Sequence, residues 1–432
     1  MPSIHLHADK GWMNDPNGFI YYKGEYHLFY QHFPHATMWG TICWGHATSP
    51  DLVNWEQQEI ALFPTLPEDQ NGCFSGSAVE SGGQLRLFYT GVHYDEYDPT
   101  NINKCIPDKF TSAQLAMSSP DGHTFDNFND KVVIIPPITD TELGDPTHTR
   151  DPKVWHGRDG WYLALGSNLH RKQGEVLFYK SQDLLHWDYV NRALLDPELC
   201  WMCECPDLFS VEGGTVLLAS LMGYEGGSRD ESVCFVVDFD EETCQLDFTG
   251  ERRLVDYGHD FYAAQTTLDD QGRRVMVGWM RMPEPVSSKW IGMFCAPRIV
   301  EVRDGHVCFS LHPNIRTALM RRENKPTSRK PFLVETTLGE GEHIDLGGLR
   351  VWQDARQIHV DRSAVYRPQK DYEHVHSVTP EVGETNKIEI LVHGHLVEIF
   401  INDGQYVISN VVYDLGGSLT TDATANITVI GL

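Results

Sequence analysis

The chain has 432 residues, 41% hydrophobic and 22% charged, a globular composition long enough for two domains. Its net charge of −27, from 34 basic against 61 acidic side chains, repels phosphate backbones and anionic headgroups, so nucleic-acid and membrane-surface partners are disfavoured. No run reaches the roughly 18 apolar residues of a membrane span, and a small, neutral substrate is the better expectation.

The first residues, MPSIHLHADKGWMNDPNG, contain no basic segment followed by an apolar run, so no secretory signal is read there and a cytoplasmic location is expected. In that setting the ten cysteines read as reduced thiols, not a disulfide framework.

From there a repeat runs along the chain. NDPNGFIYYKGEYHLFYQ, FSGSAVESGGQLRLFYTG, RDPKVWHGRDGWYLALGS, ECPDLFSVEGGTVLLASL and AAQTTLDDQGRRVMVGWM share one plan: a polar start, an apolar strand, a glycine turn and a second apolar strand. The turn glycines are Gly24, Gly83, Gly160, Gly213 and Gly272, and nine residues before them stand Asp15, Phe74, Asp151, Glu204 and Ala263. A second echo, SPDLVNW from Ser49, returns as SQDLLHW from Ser181 and more loosely as SPDGHTF from Ser119. Five multi-stranded units of this kind predict a five-bladed β-propeller over residues 1–313. Equivalent positions on its innermost strands converge at one mouth of the axis, so Asp15, Asp151 and Glu204 are expected to meet. For a single Asp-Pro motif a plain turn would be the simpler explanation; three acids in phase with a repeat argue for a site.

Residues 314–329 turn polar and basic and read as a linker with about one helical turn. Alternating runs follow, and EIFI and QYVIS flank Asn402-Asp403-Gly404, a hairpin signal because such residues supply positive φ. A β-sandwich over residues 330–432 is predicted, making the whole chain all-β.

Several segments, taken in order, carry a resemblance: WMNDPNG (12–18), FYQHFP (29–34), WGHATSPDLVNW (44–55), FSGSA (74–78), RDPKVW (150–155), ECPDLF (204–209), DFYAAQT (260–266) and VEIFINDG (397–404). On these the chain resembles glycoside hydrolase family 32, the invertases, sucrose-6-phosphate hydrolases, inulinases and levanases. The resemblance implies a five-bladed propeller followed by a β-sandwich and a retaining β-fructofuranosidase activity without cofactor or metal. It also implies roles: Asp15 as nucleophile, Glu204 as acid/base and Asp151 as transition-state stabiliser. In retaining cleavage the nucleophile and the acid stand roughly 5–5.5 Å apart on opposite sides of the bond. Arg150 is expected to help keep Asp151 ionised. Asn14, Gln31, Trp39, Phe74, Ser75, Asp260 and Trp279 are expected sugar contacts, the amides and hydroxyl for hydrogen bonds and the rings as walls. The alternatives are core packing for each aromatic and a turn-capping role for Asp260.

Other motifs carry less. Cys200, Cys203 and Cys205 form C-x2-C-x-C, but no second cluster completes a zinc site. Strand alternation would turn Cys203 and Cys205 into the blade while Glu204 faces the channel. No H-E-x-x-H and no nucleotide-binding glycine loop occurs. The segment from His93 to Phe110 reads as a rim loop on the leaving-group side, with Lys104, Lys109, Arg281 and Lys289 as candidate phosphate contacts. A fructosyltransferase would use the same acids and remains open, whereas a silent carbohydrate-binding relative would be expected to lack one of them. The oligomeric state is not legible.

Overall fold

In blade 1, Gly11–Tyr22 runs out to a two-residue turn at Lys23-Gly24 and returns as Glu25–Phe33, followed by Cys43–Ser49 and Glu56–Gln57. Gly24, at φ 92°, supplies the left-handed turn that a β-carbon would disfavour. The structure, a computed structural model, describes residues 4–227, 229–320, 330–366, 374–422 and 427–431. Four more antiparallel sheets repeat the plan, and their innermost strands are Cys73–Ser81, Arg150–Gly157, Met202–Val211 and Phe261–Leu268. Together they form a five-bladed β-propeller.

Apolar clusters fill the seams between blades. Phe29, Trp44 and Tyr89 lie between blades 1 and 2, Phe88, Leu163 and Leu177 between 2 and 3, and Phe178, Leu217 and Phe235 between 3 and 4. The ring closes between blades 5 and 1. Gly11 and Trp12 pair in parallel with Trp290 and Ile291, Gly11 N donates to Lys289 O at 2.7 Å, and Phe19 N donates to Gln265 Oε1 at 2.8 Å.

The Ser-x-Asp echo is one turn made three times. Ser49, Ser119 and Ser181 each accept from the backbone N–H three residues on, at 2.9, 2.9 and 2.8 Å. Asp51, Asp121 and Asp183 each take the two following amides, and the residues between, Leu52, Gly122 and Leu184, all have φ between 65° and 86°.

Beyond blade 5 comes a helix at Pro313–Met320; residues 321–329 of the expected linker lie outside the described residues. Two five-stranded sheets then form the sandwich around Val334, Ile358, Ile390 and Ile399. The expected hairpin joins Leu396–Ile401 to Tyr406–Val411. Buried ion pairs bolt it to the propeller: Arg298 holds Asp256 at 2.9 Å and Glu398 at 2.7 Å, and Arg362 holds Asp260. Among the described residues, no helix is long and apolar enough to cross a membrane.

Candidate active site

All five innermost strands carry a β-bulge at the same level. Met13, Cys73, Arg150, Glu204 and Tyr262 are each paired with the neighbouring strand, and the next paired residue comes three positions later against two on the partner. The bulged residues are Asn14-Asp15, Phe74-Ser75, Asp151-Pro152, Cys205-Pro206 and Ala263-Ala264. Proline suits this place, because a bulge leaves an amide without a ladder partner. Asp151, Cys205 and Ala263 take φ of 67°, 47° and 53°, which re-aims their side chains.

This register corrects the phase read from the glycines. Asn14, Phe74, Asp151, Cys205 and Ala263 share one position; Asp15 stands one residue later and Glu204 one earlier. The count slipped because blade 1 has a second bulge before its turn, and because Gly160 opens the returning strand whereas Gly24 and Gly213 lie within the turn. The three acids thus occupy three successive levels of one bulge.

Asp15 is half-buried and closely held. Ser75 Oγ donates to its Oδ2 at 2.6 Å, Gln31 Nε2 donates to the same oxygen at 3.3 Å, and Asn14 Nδ2 donates to Oδ1 at 3.1 Å. Asn14 also donates to Gln31 Oε1 at 3.0 Å and accepts from Trp12 Nε1 at 2.7 Å. Burial pushes the Asp15 carboxyl above its ordinary range; the Ser75 hydrogen bond opposes that and the Glu204 charge adds to it.

Asp151 accepts from Cys205 N at 2.9 Å, and its own N–H donates to Thr90 Oγ1 at 2.9 Å. Its carboxyl is pushed up to about 7, by burial and then by Glu204, with Arg150 pulling the other way. Arg150 approaches Glu204 Oε1 with Nε at 2.9 Å and Nη2 at 2.8 Å, while Tyr262 donates its hydroxyl to Oε2 at 2.6 Å. Burial works against the Arg150 charge, but Glu204 and Asp151 outweigh it and raise its pKa. Arg150 thus favours ionised Asp151, as expected, while its direct hydrogen bond goes to Glu204.

Cys205 corrects a second expectation. Strict alternation would hide it in the blade with Cys203, yet the bulge turns its thiol to the acids, 3.5 Å from Asp151 Oδ2 and 3.8 Å from Asp15 Oδ2. Burial, with both carboxylates beside it, raises its pKa well above the ordinary thiol value and keeps it a neutral donor. All ten cysteines are free.

Among the expected sugar contacts, Asn14, Gln31 and Ser75 touch Asp15 or its partners, and Phe74 meets Trp39 edge to face at 5.8 Å, a half-buried pair on the blade 1–2 side. Trp279 pairs across blade 5 with Tyr262 and packs against Trp12 at 5.9 Å. Asp260 is elsewhere. Its carboxylate is fully buried at the sandwich interface, gripped by Arg362 and by Val411 N at 2.8 Å, a structural engagement in place of the expected open sugar contact. The residue of that motif that does reach the site is Tyr262, two positions on and equally visible in DFYAAQT.

The rim segment folds into a small hairpin, Tyr97–Asp98 with Asn101–Cys105. Asp108 beyond it receives His148 Nε2 at 2.9 Å, and His148 Nδ1 meets Arg150 Nη1 at 3.2 Å, which ties the rim to the acid pair. Neither Asp108 nor His148 carried a sequence signal. Lys109 pairs with Glu96, Lys289 sits in the ring closure, and Arg281 lies over the Tyr262 ring at 5.1 Å. They stand on different elements, each engaged with its own partner.

Glycosyl hydrolases family 32 N-terminal domain matches residues 5–313, and Glycosyl hydrolases family 32 C terminal matches residues 331–429. The chain belongs to glycosyl hydrolase family 32. Raffinose invertase of Escherichia coli is 32% identical, covering 95% of this chain and 89% of that protein. Sucrose-6-phosphate hydrolase of Bacillus subtilis is 31% identical, covering 98% and 91% respectively. A mutant GH32 β-fructofuranosidase of Bombyx mori in complex with sucrose superposes with a TM-score of 0.81 at 28% identity, over 99% of this chain and 93% of that one. This family 32 member is therefore a glycoside hydrolase, and Asp15, Asp151 and Glu204 stand on the innermost strands of blades 1, 3 and 4.

Proposed function

We propose that the chain is a retaining β-fructofuranosidase that hydrolyses sucrose, sucrose 6-phosphate or short fructo-oligosaccharides in the cytoplasm. The observation that carries this reading is the linking of three carboxylates at the shared bulge of the innermost strands: Cys205 contacts Asp15 and Asp151, and Arg150, next in chain to Asp151, holds Glu204. The named activities of the similar proteins, and ten free thiols, support it.

In this reading Asp15 attacks the anomeric carbon of the fructosyl unit while Glu204 gives a proton to the departing oxygen. The bond from carbon to the leaving oxygen breaks as the bond to the Asp15 carboxylate forms. Glu204 then takes a proton from water, which opens the fructosyl ester and restores both carboxyls. Ser75, Gln31 and Asn14 fix the attacking carboxylate, and Asp151 holds sugar hydroxyls as positive charge develops on the ring.

The test is kcat/KM for sucrose, sucrose 6-phosphate and 1-kestose, beside Asp15→Asn. Glucose or glucose 6-phosphate release that disappears in the variant supports the assignment, and the ranking names the leaving group. Chain growth at high sucrose would recast the enzyme as a transferase. No fructose release from any of them would refute the reading.

A further inference from the structure

A second group of ligand-capable side chains lies at the far end of the blade 1 hairpin from Asp15. Glu25 opens the returning strand, His27 stands two residues along it on the same face, and His123 reaches across from the Ser-x-Asp turn of blade 2. One donor atom from each lies within 4.8 Å of the other two. His123 Nε2 is 2.7 Å from Glu25 Oε1, and His27 Nε2 is 3.7 Å from that same oxygen. Donor atoms around a tetrahedral zinc ion stand about 3.3 Å apart, given bonds of about 2.0–2.1 Å. The observed pair of distances brackets that value.

His27 separates this group from an ordinary surface ion pair. Its side chain has no solvent exposure, and its Nε2, aimed at Glu25, has no hydrogen-bond partner. A buried ring nitrogen left so is costly unless something else engages it. The other nitrogen, Nδ1, lies 3.1 Å from His46 Nε2. If His46 is the acceptor of that contact, the His27 proton sits on Nδ1 and the Nε2 lone pair is left for the group, the arrangement that orients a metal-bound imidazole.

The local fold leaves room beside this ring. In blades 1 and 3 the turn places buried Leu52 and Leu184 at the position that blade 2 gives to Gly122. A β-carbon on Gly122 would come within 2.7 Å of His27 Cε1 and 3.2 Å of its Nε2. The neighbouring charges do not compete for it: Asp121 is committed to the amides of its own turn, and Lys23 Nζ donates to Pro120 O at 2.7 Å.

We propose that Glu25, His27 and His123 bind one divalent transition cation, with Zn2+ the best chemical fit, and that the ion staples blade 1 to blade 2. Two imidazoles and one carboxylate match zinc, with the fourth position left to water. The site is separate from the chemistry: Glu25 is about 30 Å of extended chain from Asp15 at ~3.3 Å per residue, less where the bulges bend the strand. The inference departs from the sequence reading, which expected no metal, and does not depend on the substrate.

The experiment is calorimetric titration of the chelator-treated full chain with ZnCl2, for the native sequence, His123→Ala and Glu25→Gln. One equivalent bound by the native chain, about 100-fold weaker in His123→Ala, with a zinc-dependent rise in Tm lost in parallel, is the expected result. Glu25→Gln keeps the shape of the site and removes the anionic ligand, so it should weaken zinc too, while sucrose cleavage by both variants stays at the native level. No stoichiometric binding by the native chain, or the same isotherm in all three proteins, would overturn the proposal.

Discussion

Tyr262 donates its hydroxyl to Glu204 Oε2 at 2.6 Å, on the side of the carboxyl opposite the Arg150 contact. Burial, followed by the Glu204 charge, raises the Tyr262 pKa well above its usual value, so the phenol stays a donor throughout the working pH range. A hydrogen bond to a charged group contributes about 1.5–3 kcal/mol. Tyr262→Phe should therefore lower kcat roughly 10- to 100-fold with little change in KM, because the ring and its packing remain. Steady-state kinetics on sucrose check this, and an unchanged kcat would remove Tyr262 from the machinery.

Asp151 gives a stability prediction with a defined sign. Its folded pKa, about 7, lies above the ordinary 3.8 through burial and the nearby Glu204 charge. A group raised in this way favours the folded state below the unfolded pKa, and that contribution is lost as pH rises from about 4 through about 7. Asp151→Asn removes the ionisation while keeping an acceptor for Cys205 N. The variant should melt above the native protein at pH 8 and match it near pH 4, and its sucrose turnover should fall by orders of magnitude. Melting curves across that range would show a constant offset if the premise fails.

Asp260 and Arg362 form a fully buried ion pair between propeller and sandwich. Removing one partner leaves the other charge stranded, at a cost of about 3–5 kcal/mol. Asp260→Ala should lower Tm by many degrees yet leave KM for sucrose unchanged in the protein that remains folded. A selective rise in KM with normal stability would restore the sugar-contact role read from the sequence.

The rim hairpin offers a specificity test. Replacing residues 97–105 with a short glycine-containing turn removes Tyr97–Asp98 and Asn101–Cys105 while sparing Asp108 and its contact to His148. The ratio of kcat/KM for 1-kestose to that for sucrose should change severalfold. Equal ratios before and after would exclude this hairpin from leaving-group selection.

The fold was legible because each blade is written locally: apolar strand, glycine turn, apolar strand, five times over. The convergence of Asp15, Asp151 and Glu204 was legible for the same reason. What escaped the sequence depends on backbone detail. The bulges shift the register by single residues, so counting back from Gly213 reached Glu204 but misjudged its level, and alternation misplaced Cys205. Asp260 and Tyr262 sit two positions apart in one motif and end at opposite destinations, because strand pairing and the sandwich decide which side each faces. The Asp108–His148–Arg150 chain joins the rim loop to the start of a blade 3 strand across 40 residues and left no pattern to read.

Ring closure also has a consequence for synthesis. The strand carrying Asp15 is synthesised long before the segment that flanks it, because Gly11 and Trp12 take their neighbours from Trp290 and Ile291. At about 5–20 residues per second, the partner emerges roughly 15–60 s later. Through that interval one edge of the Asp15 strand stays unpaired, open to wrong pairing or to a chaperone. Nascent chains released before blade 5 should therefore carry Asp15 and its motif intact and show no turnover.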